Sequence, residues 1–474
     1  MNLLSDRPGL VNGNYSLGWI SVTQVCHRWR EIALTTPTLW RYLDFTCMSQ
    51  RWCLEMLRRS GNCSLDVALR IASSSGLCPV PTSLDVAREL MRPEYSARLA
   101  GLRLDITSRT KCDVESLIHS LQQSAPRLEN LALQHTSWEL ATISSFTSRL
   151  PSLRRLRLSN VFLSPWISPI FTSLQELDIS LSPHRLPRSN DAFITHGEMS
   201  TILSRMPELQ RLALRNVFLV GTRADEMPNG RISLPNLRQL SLIDQQGSDL
   251  SSFAASLCLP PRTCTEIKTN GRVWLDALLS QYELTFGPVR RLKLLVNGYP
   301  QVSLEFRASD ALTVERSSPA QLRLAYSLLP SPALSPPHAA ESPLFPPNQI
   351  AHHFGAAQLR LEGLLYLDIA SYVPWPAGSW RTLFAHATRL RQVRATYRGA
   401  VDGLILQVLL GADDHDEGSR MLPNLRSVKL SLVDLDEAVD AVDPPRARGD
   451  LLVDGLARRR GLPGSEICEL EGPG

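Results

Sequence analysis

No stretch of the 474-residue sequence stays apolar for the roughly 18 residues that a helix needs to cross a bilayer. The opening residues, MNLLSDRPGLVNGN, also lack the apolar core of a secretory signal peptide. Charge is nearly balanced, since 50 Lys and Arg residues stand against 46 Asp and Glu residues. We therefore expect an intracellular protein, cytoplasmic or nuclear, whose main partner is neither a membrane nor nucleic acid.

Paired cysteines and catalytic motifs are absent as well. The nine cysteines are scattered from Cys26 to Cys468, and none forms a C-x-x-C pair, which predicts reduced thiols and no metal site. The motifs G-x-S-x-G, H-E-x-x-H, G-x-x-x-x-G-K-[ST] and G-x-G-x-x-G do not occur, and no other catalytic constellation emerges. We expect no enzymatic activity and no cofactor.

Aromatic residues make up only 6% of the chain, and leucine carries the apolar load in a recurring phrase, Leu-x-x-Leu-x-Leu. The clear copies are Leu99-Leu102-Leu104, Leu128-Leu131-Leu133, Leu153-Leu156-Leu158, Leu174-Leu177-Ile179, Leu209-Leu212-Leu214 and Leu237-Leu240-Leu242. Their starts are 29, 25, 21, 35 and 28 residues apart. Four of these five spacings lie in or at the edge of the range of about 20–29 residues that is typical of leucine-rich repeats.

The phrase predicts a short strand with its leucines inward, followed by a segment that returns outside, often as a helix. Returning helices are expected at 113–124 and 197–206, and an alternating strand at 63–71. Asn160 and Asn216 follow their strands and are expected to satisfy backbone groups in the turns. Further copies are Val289-Leu292-Leu294, Leu364-Leu367-Ile369, Leu390-Val393-Ala395 and Leu425-Val428-Leu430. The alternative is ordinary α/β packing with coincidental leucines.

A helical hairpin is predicted at 17–46. Its first helix, from about 20 to 34, carries one apolar stripe, made of Val22, Val25, Trp29, Ile32 and Ala33. A threonine and a proline at 36–37 end this helix and start a short second segment that returns to the same stripe. The hairpin either offers one face to a partner or packs on the first repeat as a cap.

The runs Val25-Cys26-His27-Arg28-Trp29-Arg30 and Thr36-Pro37-Thr38-Leu39-Trp40 together resemble the second half of an F-box, in the form common in fungal proteins with leucine-rich repeats. The resemblance covers about thirty residues. Residues 1–16 show no counterpart of the first half, so we expect either a real loss of the first helix or an incomplete N-terminus.

F-boxes are helical modules that dock on the Skp-type adaptor of cullin–RING ubiquitin ligases. The resemblance therefore implies a substrate receptor that binds the adaptor and cullin ligase through its hairpin and an unknown protein target through its repeats. The adaptor-binding positions that carry over are Val25, Cys26, Trp29, Ile32, Pro37, Leu39 and Trp40. The alternative is a leucine-rich interaction scaffold with no ubiquitin-ligase link.

Positions between the inward leucines are expected to form the surface that binds a target, and arginine recurs there. The candidate partner-binding residues are Arg154, Arg157, Asp178, Arg211, Arg215 and Arg238. Guanidinium groups pair well with carboxylates and phosphates, which suggests an acidic or phosphorylated partner. A merely solvated face is the alternative.

The predicted fold is α/β, a leucine-rich-repeat-like solenoid preceded by a partial helical F-box. The predicted segments are a disordered leader at 1–16, the hairpin at 17–46, a connecting region at 47–94, repeats at 95–315, a proline- and serine-rich insert at 316–350, degenerate repeats at 351–435 and a disordered tail at 436–474.

Overall fold

The chain folds into two units, Met1–Leu219 and Val220–Gly474, and both mix helices with strands. A computed structural model of the chain describes residues 10–11, 14–15, 24–46, 48–71, 84–106, 111–136, 141–144, 150–164, 169–182, 194–218, 231–244, 250–260, 263–269, 291–297, 301–307, 322–327, 361–371, 384, 387–397, 400–402, 422–431, 434–439, 445–460 and 469–471.

The helices and strands of the first unit follow the predicted alternation. In chain order they are β1 (Leu10–Val11), β2 (Asn14–Tyr15), α1 (His27–Thr35), β3 (Tyr42–Asp44), α2 (Gln50–Arg59), β4 (Leu65–Ile71), α3 (Leu84–Leu90), α4 (Pro93–Ser96), β5 (Leu99–Ile106), α5 (Lys111–Ser124), β6 (Asn130–His135), β7 (Ala141–Ser144), β8 (Arg155–Ser159), β9 (Val161–Ser164), β10 (Glu176–Ser180), α6 (His196–Leu203) and β11 (Arg211–Arg215). Short 3-10 turns occur at Pro37–Trp40 and Pro169–Ser173.

The main sheet of this unit is parallel throughout, in the order β3-β4-β5-β6-β8-β10-β11. Its register places the leucines of successive phrases side by side. One buried row is Leu43, Val67, Leu102, Leu131, Leu156, Leu177 and Leu212, and the next is Leu69, Leu104, Leu133, Leu158, Ile179 and Leu214. The predicted inward-facing strands of this region are therefore confirmed.

Helix α5 confirms the helix predicted at 113–124. Like the strands, it buries its apolar side chains on one side. Leu117, Ile118 and Leu121 lie on one face at i, i+1 and i+4, and all three are buried. Helix α6 is likewise present, although it starts at His196, where Thr195 and Glu198 form a capping box.

The two asparagines after the strands adopt left-handed backbone conformations, with φ of 54° at Asn160 and 53° at Asn216. The Asn160 Nδ2 group donates to the His135 carbonyl at 3.2 Å, and its Oδ1 accepts from the Ser182 amide at 2.7 Å. The Asn216 Nδ2 group donates to the Leu181 carbonyl at 2.9 Å. The predicted role of these side chains in satisfying turn backbone is confirmed.

We expect Asn160→Ala to lower the free energy of unfolding by about 2–3 kcal/mol, because alanine loses both hydrogen bonds and is strained at positive φ. Asn160→Gly loses the same hydrogen bonds without the strain, so its loss should be smaller, about 1–2 kcal/mol. Chemical denaturation of both variants measures the difference. Equal losses would mean that the backbone conformation contributes nothing.

In the described residues, the second unit consists mainly of strands. Its elements are β12 (Ile232–Ser233), β13 (Gln239–Asp244), α7 (Leu250–Ser256), β14 (Leu257–Cys258), β15 (Cys264–Thr269), β16 (Arg291–Asn297), β17 (Gln301–Arg307), β18 (Leu322–Ser327), β19 (Tyr366–Ser371), β20 (Gln392–Thr396), β21 (Ser427–Ser431), β22 (Ala438–Val439), β23 (Arg446–Ala447), α8 (Arg448–Arg460) and β24 (Glu469–Glu471), with a 3-10 turn at Leu361–Gly363.

Its main sheet is interrupted by one antiparallel strand. Strands β13, β15 and β18 are parallel neighbours, and β16, β19, β20, β21 and β24 form a second parallel run. Strand β17 pairs antiparallel with both β16 and β18. Only three residues, 298–300, join β16 to β17, and such a short connection permits a hairpin but not a parallel crossover.

Several predicted boundaries differ from the structure. Strands β1 and β2 form an antiparallel pair inside the predicted leader, on either side of an Asn-Gly dipeptide at 12–13 that is typical of two-residue hairpins. Strand β18 lies inside the predicted insert, while 328–350 lie outside the described residues. The predicted disordered tail contains α8, which buries Leu451 and Leu452. Composition pointed to disorder here because glycine and arginine occur within this helix and proline occurs on both sides of it.

Among the described residues, none of the helices has the length and apolarity required to cross a membrane.

Candidate functional site

Helix α1 and the turn after it form a closed hairpin. The Thr36 hydroxyl donates to the Ile32 carbonyl at 2.6 Å, and Pro37 starts the 3-10 turn. The Trp40 indole N–H then donates back to the Ala33 carbonyl at 2.8 Å. This hydrogen bond ties the turn to the last part of the helix.

The inner side of the hairpin belongs to the core of the first unit. Trp40 is fully buried, and the Arg59 guanidinium of α2 lies 4.9 Å from the centroid of its ring system. Ala33 and Phe45 are buried, as is Cys53 of α2. Burial raises the pKa of the Cys53 thiol to about 12, which keeps it neutral at physiological pH.

The outer side of the hairpin exposes large apolar side chains. Trp29 is 54% exposed and Ile32 is 49% exposed, and their i, i+3 spacing places them on one face of α1. Val25, just before the helix, is 69% exposed. We call Val25, Trp29 and Ile32 the α1 surface. Such exposure of a tryptophan and two aliphatic side chains is typical of a site that a partner covers.

The structure divides the predicted adaptor-binding residues into two groups. Cys26 and Pro37 are exposed like the α1 surface, and Leu39 is half-buried. Trp40 is enclosed by the protein itself, and an adaptor contact at this residue stays a prediction. Its indole N–H is also already used within the hairpin.

The predicted start of the first helix is wrong. Helix α1 begins at His27, because Cys26 has an extended backbone with φ of −157° and ψ of 170°. Val25 therefore precedes the helix, and Val22 lies outside the described residues. The predicted apolar stripe is also divided in the structure, because Ala33 is buried against the returning turn while Val25, Trp29 and Ile32 are exposed.

The second candidate surface is the polar face of the first unit's sheet, whose side chains alternate with the buried leucines. We call it the polar sheet face. Its three rows are Asp66-Gly101-Asn130-Arg155-Glu176-Arg211, Ala68-Arg103-Ala132-Arg157-Asp178-Ala213 and Arg70-Asp105-Gln134-Ser159-Ser180-Arg215.

Ion pairs occupy part of this face. The Arg157 Nε atom lies 3.1 Å from the Asp178 Oδ2 atom, and the Asp178 side chain is only 12% exposed. Arg154, just before β8, lies 3.5 Å from Glu208 and donates to the Ser173 carbonyl. The predicted residues Arg154, Arg157 and Asp178 are thus internally engaged. Arg238 is exposed but belongs to the second unit.

At the other end of the face, the Asp66 side chain lies over Gly101 on the neighbouring strand. A Cβ atom at position 101 would collide with the Asp66 carboxylate, so any larger residue there would force this carboxylate to move. Burial raises the pKa of Asp66, although Arg41, at 3.4 Å, acts in the opposite direction.

No family model matches the chain, and no curated protein matches it.

Sequence reasoning missed the contacts among the charged and polar side chains of the polar sheet face. Arg103 pairs with Asp105 of its own strand at 3.1 Å and donates to Gln134 of the next strand at 3.2 Å. Arg155 approaches Glu176 at 3.9 Å. Their shared place in each repeat was visible in the sequence, but the register between strands decides which charges meet.

Within the described residues, no group of three or more His, Cys, Asp or Glu side chains is placed to hold a metal ion.

Proposed function

We propose that this protein is the substrate receptor of a Skp–cullin–F-box ubiquitin ligase. In this proposal the α1 surface binds the Skp-type adaptor, and the polar sheet face binds a protein target. The observation that carries the proposal is the division within one motif, where Trp40 anchors the hairpin and Trp29 remains exposed. A module built to dock a partner needs both an anchor and a free apolar face.

The same proposal assigns the sheet to a leucine-rich-repeat-like solenoid. Its support is the in-register stacking of the phrase from β5 to β11, with Asn160 and Asn216 bridging the turns between strands. A solenoid stacks each repeat only on its neighbours, which yields one long continuous face. That face is the extended surface a receptor needs.

The proposed mechanism is positioning rather than catalysis. Arg41 alone separates the 3-10 turn from β3, which is the terminal strand of the first unit's sheet and pairs with β4. A target on the sheet is therefore held at a fixed distance from an adaptor on α1. Such positioning raises the effective concentration of the reacting groups of other subunits.

The rival is a leucine-rich scaffold whose hairpin only caps the sheet. Its support is the burial of Trp40, Leu43 and Phe45 at the end of the sheet. Capping by these residues is compatible with docking by α1, because they lie on different sides of the hairpin. What separates the two functions is whether the adaptor binds.

Co-purification with a Skp-type adaptor tests the proposal. We expect the intact chain to bind, and Trp29→Ala combined with Ile32→Ala to weaken binding at least about 30-fold, as for a central interface hot spot. The double variant should fold normally, since both side chains are about half exposed. Titration calorimetry with purified adaptor measures the change.

The matched control is Trp52→Ala, which removes a tryptophan of similar exposure, 49%, from α2. It should leave adaptor binding unchanged. Absence of binding by the intact chain would favour the scaffold. Equal losses of adaptor binding in Trp52→Ala and in the α1 double variant would mean that the α1 surface is not the interface.

A further inference from the structure

The end of the polar sheet face formed by β8, β10 and β11, together with the residues that directly flank these strands, carries an excess of arginine. Five arginines lie here, two on β11, two on β8 and one just before β8, against the three carboxylates of Glu176, Asp178 and Glu208. At the β3–β5 end, by contrast, Arg41 pairs with Asp66 and Arg103 pairs with Asp105. The face is therefore electrically asymmetric.

Two of these arginines differ from the rest. Arg154, Arg155 and Arg157 each lie within 4 Å of a carboxylate, at 3.5, 3.9 and 3.1 Å respectively. In the described part of the chain, neither Arg211 nor Arg215 forms an ion pair. Both belong to β11 and point to the polar sheet face, where Arg211 is exposed and Arg215 is half-buried. We call them the arginine pair.

The spacing of the two arginines sets the length of the ligand. Ala213 lies between them, beside Asp178 in the register, and is 1% exposed, so neighbouring side chains already cover it. The two arginines are four positions apart, which is about 13 Å along a strand. An extended segment of similar length can therefore meet a guanidinium at each end.

We propose that the arginine pair is the anchor for an extended peptide segment with two anionic side chains, about four residues apart, in the protein target. This inference rests on the proposed function and names the chemistry of the target. Each guanidinium offers a planar fork that pairs with a carboxylate or a phosphate in two parallel hydrogen bonds. Among the described residues, neither arginine has an ion pair that it would first need to break.

The surroundings favour a peptide over a nucleic acid. Glu176 and Asp178 lie on the strand next to the pair and would repel a continuous phosphate backbone. Nucleic-acid binding draws its affinity from many phosphate contacts, which requires more unpaired cations than two. A peptide with two separated anionic groups brings only one of its charges near Glu176, which is in register with Arg211, and its neutral residues can lie beside Asp178.

Fluorescence anisotropy with the full chain and four synthetic probes tests this inference. The probes are a peptide with two glutamates four positions apart, the same peptide with two phosphoserines, the same peptide with two glutamines, and a single-stranded DNA of equal length. We expect the glutamate or phosphoserine peptide to bind, and the stronger of the two identifies the source of the charge. Binding should weaken with added salt.

Arg211→Ala combined with Arg215→Ala should weaken binding of the anionic peptide at least about tenfold. A hydrogen bond to a charged group contributes that much to affinity. The matched control is Arg127→Ala with Arg205→Ala, which removes two exposed arginines of the same unit that lie outside the three rows of the face. This control changes net charge equally and should leave binding unchanged.

Four results would overturn the inference. They are glutamine-peptide binding as tight as that of the anionic peptides, equal losses of peptide binding in both double variants, DNA binding tighter than that of both anionic peptides, and no binding by any peptide. Adaptor binding is measured separately and depends on the α1 surface. Failure of the anionic site therefore leaves the adaptor result standing, and the reverse also holds.

Discussion

Replacing Trp40 with alanine is expected to lower the free energy of unfolding of the first unit by about 3–5 kcal/mol. The side chain is fully buried, so its removal leaves a cavity that the hairpin, α2 and β3 cannot fill without repacking. The variant also loses the indole hydrogen bond to Ala33 and the contact with the Arg59 guanidinium. Hydrogen exchange of the β3 and β4 amides, measured in the full chain, reports this loss locally.

The neighbouring tryptophan supplies the control. Trp29→Ala removes an equal volume from an exposed position, so its effect on stability should stay within about 0.5 kcal/mol. The two variants thus separate anchoring from docking, with stability lost in one and adaptor binding lost in the other. Similar stability losses in both would contradict the division of the hairpin into an inner and an outer side.

Replacing Arg448 with methionine is expected to destabilise the second unit by about 3–5 kcal/mol. The Arg448 side chain is fully buried at the start of α8 and donates to Asp402 and to Glu437, the latter at 2.7 Å. It also donates to the Asp434 carbonyl at 2.9 Å. The hydrogen bonds to Asp402 raise the pKa of the guanidinium further. Without the arginine, the Asp402 carboxylate, 14% exposed, loses its cation.

Arg446→Met is the matched control for this prediction. Arg446 pairs with Asp454 at 2.7 Å, but both side chains are more than 40% exposed, so the pair should contribute less than about 1 kcal/mol. Urea denaturation followed by limited proteolysis of the second unit compares the two variants. A small effect of Arg448→Met would mean that the buried cluster is not what holds α8 in place.

The repeating strands were predictable because leucine spacing encodes a local fact, namely which side of a strand faces the core. Leu102, Leu131 and Leu156 needed no long-range information to be assigned inward. The same applies to Asn160 and Asn216, whose position after each strand indicated a turn. Periodicity was less informative for α1, since an apolar stripe defines a face and not a first residue.

The long-range features were beyond the sequence. Arg448 and Asp402 are 46 residues apart, and only the fold shows that they meet. Trp29 and Trp40 have the same chemistry and lie in the same motif, yet the packing of α2 decides that one is buried and the other exposed. Arg155 and Arg157 differ from the arginine pair because the register of β8 against β10 places them beside Glu176 and Asp178, with which they form ion pairs.

The short path from α1 to β3 has a thermodynamic consequence. Because the hairpin and the first strands share one core, a partner that binds only the folded α1 surface also stabilises those strands. At a hundredfold excess over its dissociation constant, such a partner adds about 2.7 kcal/mol to the stability of the fold. If the proposed adaptor is that partner, the lifetime of this protein in the cell should follow the supply of the adaptor, with the unbound chain the first to be degraded.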